Sequence, residues 1–403
     1  MPEGDTPAGM VRVCKERCSS VTLTSIVEAA VAALGLPRWV APPVVALIAA
    51  VLILTFVLLT VLVLIYALRR ILGFIQSRLG PNRVGPEGSL QTVADALKLL
   101  LKEDIIPAAA DRWVFIVAPA IVFIPAFLVY VVVPFGPHWI ARDLNIGIVY
   151  ISAISSVAVI GIISGGWASN NKYALLGAMR SAAQMVSYEV PLVLTMLAPV
   201  VLVQTFSTQG LVEAQRGVGW FVLLQPVAFL IHLTASLAET NVTPFDIVEA
   251  ESELVAGFHV EYSGMKFALF FLAEFANTFT LAAISATIFL GGWLSPFGIH
   301  TGPWWVRPLA DGPHWFFLKS FVLVFVTMWI RGTLPRVRVD QLMDLGWKVL
   351  IPVSLVNLTL NALVVALGLS LWTLAAVNWA FLAAVVWLGV ARRAVPKALR
   401  ASK

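Results

Sequence analysis

Uncharged apolar stretches long enough to cross a bilayer recur along the chain. A helix rises ~1.5 Å per residue, so a ~30 Å hydrocarbon core takes about 20 apolar residues. Residues 41–68 carry no charge and predict a first span. Residues 113–133, 146–167, 186–203, 220–238, 265–290 and 315–330 predict six more. The last of these holds Lys319 near one end, where a long side chain can snorkel toward water. From 349 to 391 no charge occurs over 43 residues, too many for one span, and Gly368 with Ser370 offers a turn. Two helices are expected there. The pattern predicts an all-α polytopic bundle of about nine spans over 41–391, between a polar tail, 1–40, and a basic tail, 392–403.

Composition sharpens this. Of 403 residues 60% are hydrophobic and 12% charged, about half the charged share of a soluble domain. Mean hydropathy is +0.91. Too few polar side chains exist to cover a water-exposed surface. The net charge of +5 would point to nucleic acid in a soluble protein; here it belongs to the loops. The connection 69–112 carries Arg69, Arg70, Arg78, Arg83, Lys98, Lys102 and Arg112. The connections 168–185, 239–264 and 331–348 and the C-terminal tail face the same way. With Lys266 they hold 19 of 27 basic residues, which makes this face cytoplasmic by the positive-inside rule. The N-terminal tail lacks the layout of a signal peptide.

Cys14 and Cys18 are the only cysteines. A four-thiolate iron–sulfur or zinc site within the chain is excluded, no metal site is expected, and neither a P-loop nor a GxGxxG occurs. Any redox carriers belong to partners or diffuse.

In the first loop, Leu90, Val93, Leu97, Leu100 and Leu101 recur at helical spacing with Gln91, Asp95, Lys98 and Lys102 on other faces. This amphipathic helix fits equally the membrane surface and a protein partner. The turn-rich stretch before it, 78–86, is stiff and presents Arg78 and Arg83.

Charges inside lipid cost several kcal/mol and mark paths or partners. Glu274 falls midway along the sixth span, with Asn277 about one turn on. Glu189 opens the fourth and Glu239 closes the fifth; both also fit plain helix-end hydrogen bonding. The fifth loop holds Glu239, Asp246, Glu249, Glu251, Glu253 and Glu261 with no Lys or Arg among them. Glu249 and Glu253 are four apart, which disfavours ionising both and suits a proton-holding site. The apolar neighbours of these acids argue against a solvated acidic loop.

Several of these segments are recognisable. Residues 88–103 (GSLQTVADALKLLLKE) and 244–257 (PFDIVEAESELVAG) closely resemble two signatures of the H-type membrane subunits of respiratory complex I, NADH-quinone oxidoreductase. Residues 78–86, 167–177, 183–189 and 333–336 also fit, so the resemblance runs from about Arg69 to about Pro352. It implies a membrane component of a proton translocase in a prokaryotic plasma membrane, at the junction with a peripheral arm. NADH, FMN and the iron–sulfur clusters would sit on partner subunits, with quinone as substrate and no cofactor bound by this chain. By position, Arg69, Arg78, Asp95 and Phe245 would line the quinone chamber. Glu189, Glu239, Glu249, Glu253 and Glu274 would form an acidic proton path.

Three positions depart from the family pattern. Leu68 stands where relatives usually have Glu, Val242 where they have Arg, and Val339 where an aromatic is common. If that acid and base pair in relatives, losing both costs less than orphaning one. The competing reading is a secondary transporter coupled to protons or cations. That class usually shows internal repeats with matching broken helices, and no such symmetry is visible here. A purely structural anchor explains the basic loops but not Glu274.

Overall fold

A computed structural model describes residues 29, 32, 41–137, 139–247, 256–298 and 310–394. Glu249, Glu253, both cysteines and almost all of the N-terminal tail lie outside the described residues, as does the C-terminal tail beyond 394. Among the described residues the chain is helical without a β-strand. Eight helices there are long and apolar enough to cross a membrane. The long helices are α1 (Ala41–Ile75), α3 (Arg112–Leu128), α4 (Gly147–Ala168), α5 (Lys172–Val203), α9 (Gly264–Phe289), α10 (Pro313–Thr333), α12 (Ile351–Ala366) and α13 (Leu371–Ala394). Shorter elements are α2 (Gln91–Leu101), α6 (Thr208–Val218), α7 (Phe221–Leu224), α8 (Pro226–Glu239) and α11 (Val339–Leu345). A π-helical turn, Gly346–Leu350, joins α11 to α12.

Of the nine expected spans, the fifth, 220–238, is broken. Gln225 adopts φ −132°, ψ 60°, and Pro226 starts α8 at the first turn, where its missing N–H costs nothing. The 14-residue α8 alone is too short to span the core.

The fourth span starts earlier than its apolar run. Asn171 caps α5, its side chain accepting from the Tyr173 N–H, and the helix runs 32 residues. Ala174, Gly177, Ala178, Ser181 and Ala182 are buried in this extension. Small side chains hide a packed face from hydropathy. Glu189 therefore lies mid-helix rather than at a helix start.

Consecutive helices α3, α4 and α5 run antiparallel. At the basic end, the Asp111 N–H donates to the Ala168 carbonyl and ties α3 to α4; at the opposite end, Ile148 N–H donates to Phe206 O. Gly161 meets α3 so closely that a Cβ would lie 2.5 Å from Val122 Cγ2, the close approach that small residues permit in membranes. Leu68 and Val242 are both buried within the shared apolar core.

Lys319 does not snorkel. It is 7% exposed and its ammonium donates to the carbonyls of Leu290 (2.6 Å), Gly292 (3.1 Å) and Leu294 (2.7 Å). It also sits 4.9 Å from the Trp220 ring centroid. It closes the carbonyl end of α9, where the macrodipole favours a cation.

Candidate functional site

The site grows from one stripe on α9. Phe267, Phe270, Phe271, Glu274 and Asn277 fall at spacings of three and four, and so share one face. That face closes a cavity of about 50 Å³ against α3, α4 and α5 (Val122, Ala158, Ile162, Met185). Glu239, Thr240, Asn241, Phe258 and His259 complete its wall. Further along α9, Asn277, Thr280, Leu281 and Ile284 line a second cavity of about 30 Å³, together with Ser155, Leu192 and Met196. Glu239 and Asn277 line both. Each volume admits at least one water.

Glu239 is the last residue of α8, where the negative end of the macrodipole opposes a permanent anion. Its Oε2 and the Asn241 Oδ1 are buried with no hydrogen-bond partner among the described residues. Orphaned acceptors in a low-dielectric wall cost free energy unless water reaches them. Asn241 takes φ 52°, a left-handed turn that Asn tolerates. Glu189 accepts a hydrogen bond from the Ser156 hydroxyl of α4 and lies within Coulombic reach of Glu239. Glu274 Oε1 is 3.8 Å from Arg331 Nη1 of α10. It is thus an acid with a cation at hand rather than an isolated membrane charge. Of the five acids expected on the path, two share a cavity, a third lies beside one of those two, and Glu249 and Glu253 are outside the described residues.

Gln184, which the sequence pattern does not single out, braces this corner. It is buried, and its amide nitrogen, Nε2, donates to Ala238 O (2.7 Å) and Phe245 O (2.8 Å), bolting the end of α8 and the next loop to α5. The loop is held from the other side by Arg336. Its Nη2 donates to Asp246 (2.9 Å), while the Val337 N–H donates to Pro244 O (3.0 Å). Motifs far apart in sequence, 183–189, 244–247 and 333–336, therefore meet in one brace.

His259 is a second residue without a signal in the sequence pattern. It ends the 3-10 turn Gly257–His259, and that turn sits on α5 through Gly177. A Cβ on Gly177 would lie 2.7 Å from Gly257 Cα, closer than packed atoms allow. The imidazole is flanked edge-to-face by Phe258 (5.0 Å) and Phe267 (5.3 Å). Burial pushes it down to about 4, against the opposing pull of Asp246.

The four expected quinone-site residues separate into groups. Arg69, in the last turns of α1, donates to Asp95 of α2, which also accepts from Gln91 Nε2 (3.1 Å). Arg78 is exposed, its Nε donating to Gln76 Oε1 (2.6 Å). Phe245 is buried 6.0 Å from the Tyr188 ring. Glu87 pairs with Arg70 at 2.7 Å. The α2 face of Leu90, Val93, Leu97, Leu100 and Leu101 is exposed. Residues 103–105 behind α2 are latched to the start of α9. Ile105 N–H donates to Ser263 Oγ (3.1 Å), and Lys266 pairs with Asp104 (2.8 Å). Among the described residues no cluster of three or more metal-ligating side chains occurs.

The family model described as NADH dehydrogenase matches residues 48–362. A protein of a Geobacillus species, named as the H subunit of NADH-quinone oxidoreductase, is 52% identical over 301 residues, 74% of this chain and 88% of the relative. The protein of that name from Dehalococcoides mccartyi is 51% identical over 307 residues (76% and 83%). The one from Brevibacillus brevis is 50% identical over 323 residues (79% and 93%). With most of its length matched in this way, the chain belongs to the NADH dehydrogenase family, beside the H subunits of NADH-quinone oxidoreductase.

Proposed function

We propose that this chain is the membrane component of a proton-translocating NADH-quinone oxidoreductase that forms the quinone entrance and links quinone reduction to proton movement. The observation that carries this is the pair of cavities that share Glu239 and Asn277 in their walls, with Glu274 in the wall of the first. Carboxylates beside water-sized spaces, inside a bundle of apolar helices, have the chemistry to take up and release protons in turn. Glu189, bonded to Ser156 next to Ser155 of the second cavity, extends the line. Glu249 and Glu253, four apart in the acidic loop, would feed it.

At the basic end, Arg69 with Asp95, the exposed Arg78 and the braced Phe245 would frame the quinone headgroup. Reduction of a quinone to a quinol takes two electrons and two protons. Electrons would come from NADH through FMN and iron–sulfur clusters on peripheral partners. Protons would come from protic groups at this end. The stripe of exposed leucines on α2 is suited to a partner or to the bilayer surface. The bias of basic residues favours the cytoplasmic side of a prokaryotic plasma membrane for this end.

The test is purification of the tagged chain from its native membrane. The proposal expects flavin and iron–sulfur proteins in stoichiometric amounts, with NADH-dependent quinone reduction. In that complex, Arg78→Ala should lower quinone-dependent turnover while electron transfer to an upstream artificial acceptor survives. Purification without redox partners, with proton- or cation-coupled solute uptake by the chain alone, would overturn the reading in favour of a transporter.

A further inference from the structure

We infer that His259 is a proton relay at the loop-side mouth of the carboxylate cavity, passing protons between the connecting loop and Glu239 or Glu274. The inference rests on the carboxylate-path reading above and adds a group to it.

Placement is the first argument. His259 lies in the short turn before α9, outside the apolar spans, while Glu274 lies ten residues into α9, about 15 Å along the helix. The imidazole, Glu239, Asn241, Glu274 and Asn277 line one cavity. The rest of the wall at that end is the aromatic group Phe258, Phe267, Phe270 and Phe271. Among the described lining side chains it is the one imidazole, a group that accepts a proton at one atom while giving one up at another.

The second argument is that its position is fixed. The Gly177–Gly257 approach leaves the turn one seat on α5, and two phenylalanine edges hold the ring. The hydrocarbon cage and partial burial keep the resting ring neutral at neutral pH, with one bare nitrogen. A proton arriving from the loop side binds that nitrogen. The proton on the other nitrogen leaves to a cavity water and then to a carboxylate. The ring ends neutral in its other tautomer, and a half-turn of the imidazole about its Cβ–Cγ bond resets it with no further proton exchanged. No electrons move and no further reactant is needed. Asp246, which acts on the ring through space, stabilises the brief imidazolium.

The experiment uses the intact complex in inverted membrane vesicles, reading NADH-driven proton uptake alongside quinone reduction. His259→Gln and His259→Ala should each lower coupled proton uptake at least about tenfold, within the range that loss of a positioned acid–base group can cause. Millimolar imidazole added to the His259→Ala complex should restore a substantial part. Pyrazole, of the same shape but a far weaker base, should not. Wild-type uptake in an assembled His259→Gln complex overturns the inference, as does equal rescue by pyrazole. Failure of both variants to assemble also overturns it, in favour of a packing role. Glu239→Gln and Glu274→Gln are run in the same vesicles. If these two abolish uptake while His259→Gln retains it, the relay alone falls. If they retain it, the carboxylate path falls first.

Discussion

Lys319→Met is the sharpest test of the packing at the end opposite the basic loops. Three short hydrogen bonds to backbone carbonyls use all three protons of the ammonium. Met keeps most of the side-chain volume, so the change removes charge and donors without opening a large cavity. A charge-assisted hydrogen bond contributes about 1.5–3 kcal/mol. The cation–π contact with Trp220 adds up to about 2 kcal/mol. Against these stands relief from the desolvation of a buried ammonium, several kcal/mol. What remains is dominated by the carbonyls of Leu290, Gly292 and Leu294, which have no replacement donor in Met. Leaving a buried acceptor without its donor costs about 1–3 kcal/mol. The assay is unfolding of the detergent-solubilised protein, followed by the tryptophan fluorescence of a Trp-rich chain. Lys348→Met is the comparison. Its side chain is 71% exposed and pairs with Asp344 one turn away, so the change should stay within about 0.5 kcal/mol. A Lys319→Met protein as stable as Lys348→Met would refute the reading of Lys319 as the clasp of α9.

Other consequences are equally direct. Arg69→Ala and Asp95→Ala should each lower quinone-dependent turnover, and the double variant should be little worse than either, because the two side chains act as one bonded unit; fully multiplicative losses would separate them. Gly177→Ala forces a methyl into the backbone of Gly257; about 1–3 kcal/mol of overpacking should appear in the unfolding midpoint, and no change would show that the turn has room. His259 titrates near 4 when folded and near 6.5 when unfolded, so the unfolded chain binds its proton first. Its contribution is full above pH 6.5 and is lost as pH falls toward 4. His259→Phe should therefore show a shallower loss of thermal stability between pH 6.5 and 4 than wild type; parallel curves would contradict the burial of the ring.

The spans are legible in the sequence because lipid leaves hydropathy as the main rule, and the turn after α12 is legible because Gly368 interrupts a long uncharged run. The amphipathic α2 and the placement of Glu274 midway along its helix also follow from spacing alone. The early start of α5 is hidden, since alanines, glycine and serine pack against neighbours without raising hydropathy. Lys319 misleads for a related reason. A lysine near a helix end is equally able to reach water or to turn onto a neighbour's carbonyls, and only the position of α9 decides. Gln184 falls within the recognisable stretch 183–189 but nothing there marks its bracing role, and His259 stands out no more. Their places exist because α5, the end of α8 and the turn before α9 converge. A polar amide at 184 and a histidine beside the Glu-rich loop are the only hints the sequence offers. Joining those hints requires the Gly177–Gly257 contact, which sequence spacing does not reveal.

The central claim is that the carboxylates round the two adjoining cavities carry protons for quinone reduction. The most direct measurement is the rate of proton uptake, read together with the rate of quinone reduction, by the Glu239→Gln complex in inverted vesicles. Gln preserves volume and hydrogen bonding but holds no exchangeable acid proton, and Glu239 is the acid that lines both cavities. Asp344→Asn, an exposed acid at the same end, is the reference and should match wild type. The account predicts that Glu239→Gln assembles, and that proton uptake falls by about an order of magnitude or more with quinone reduction falling alongside it. A fully assembled Glu239→Gln complex with the wild-type proton-to-quinone ratio and rate would contradict it.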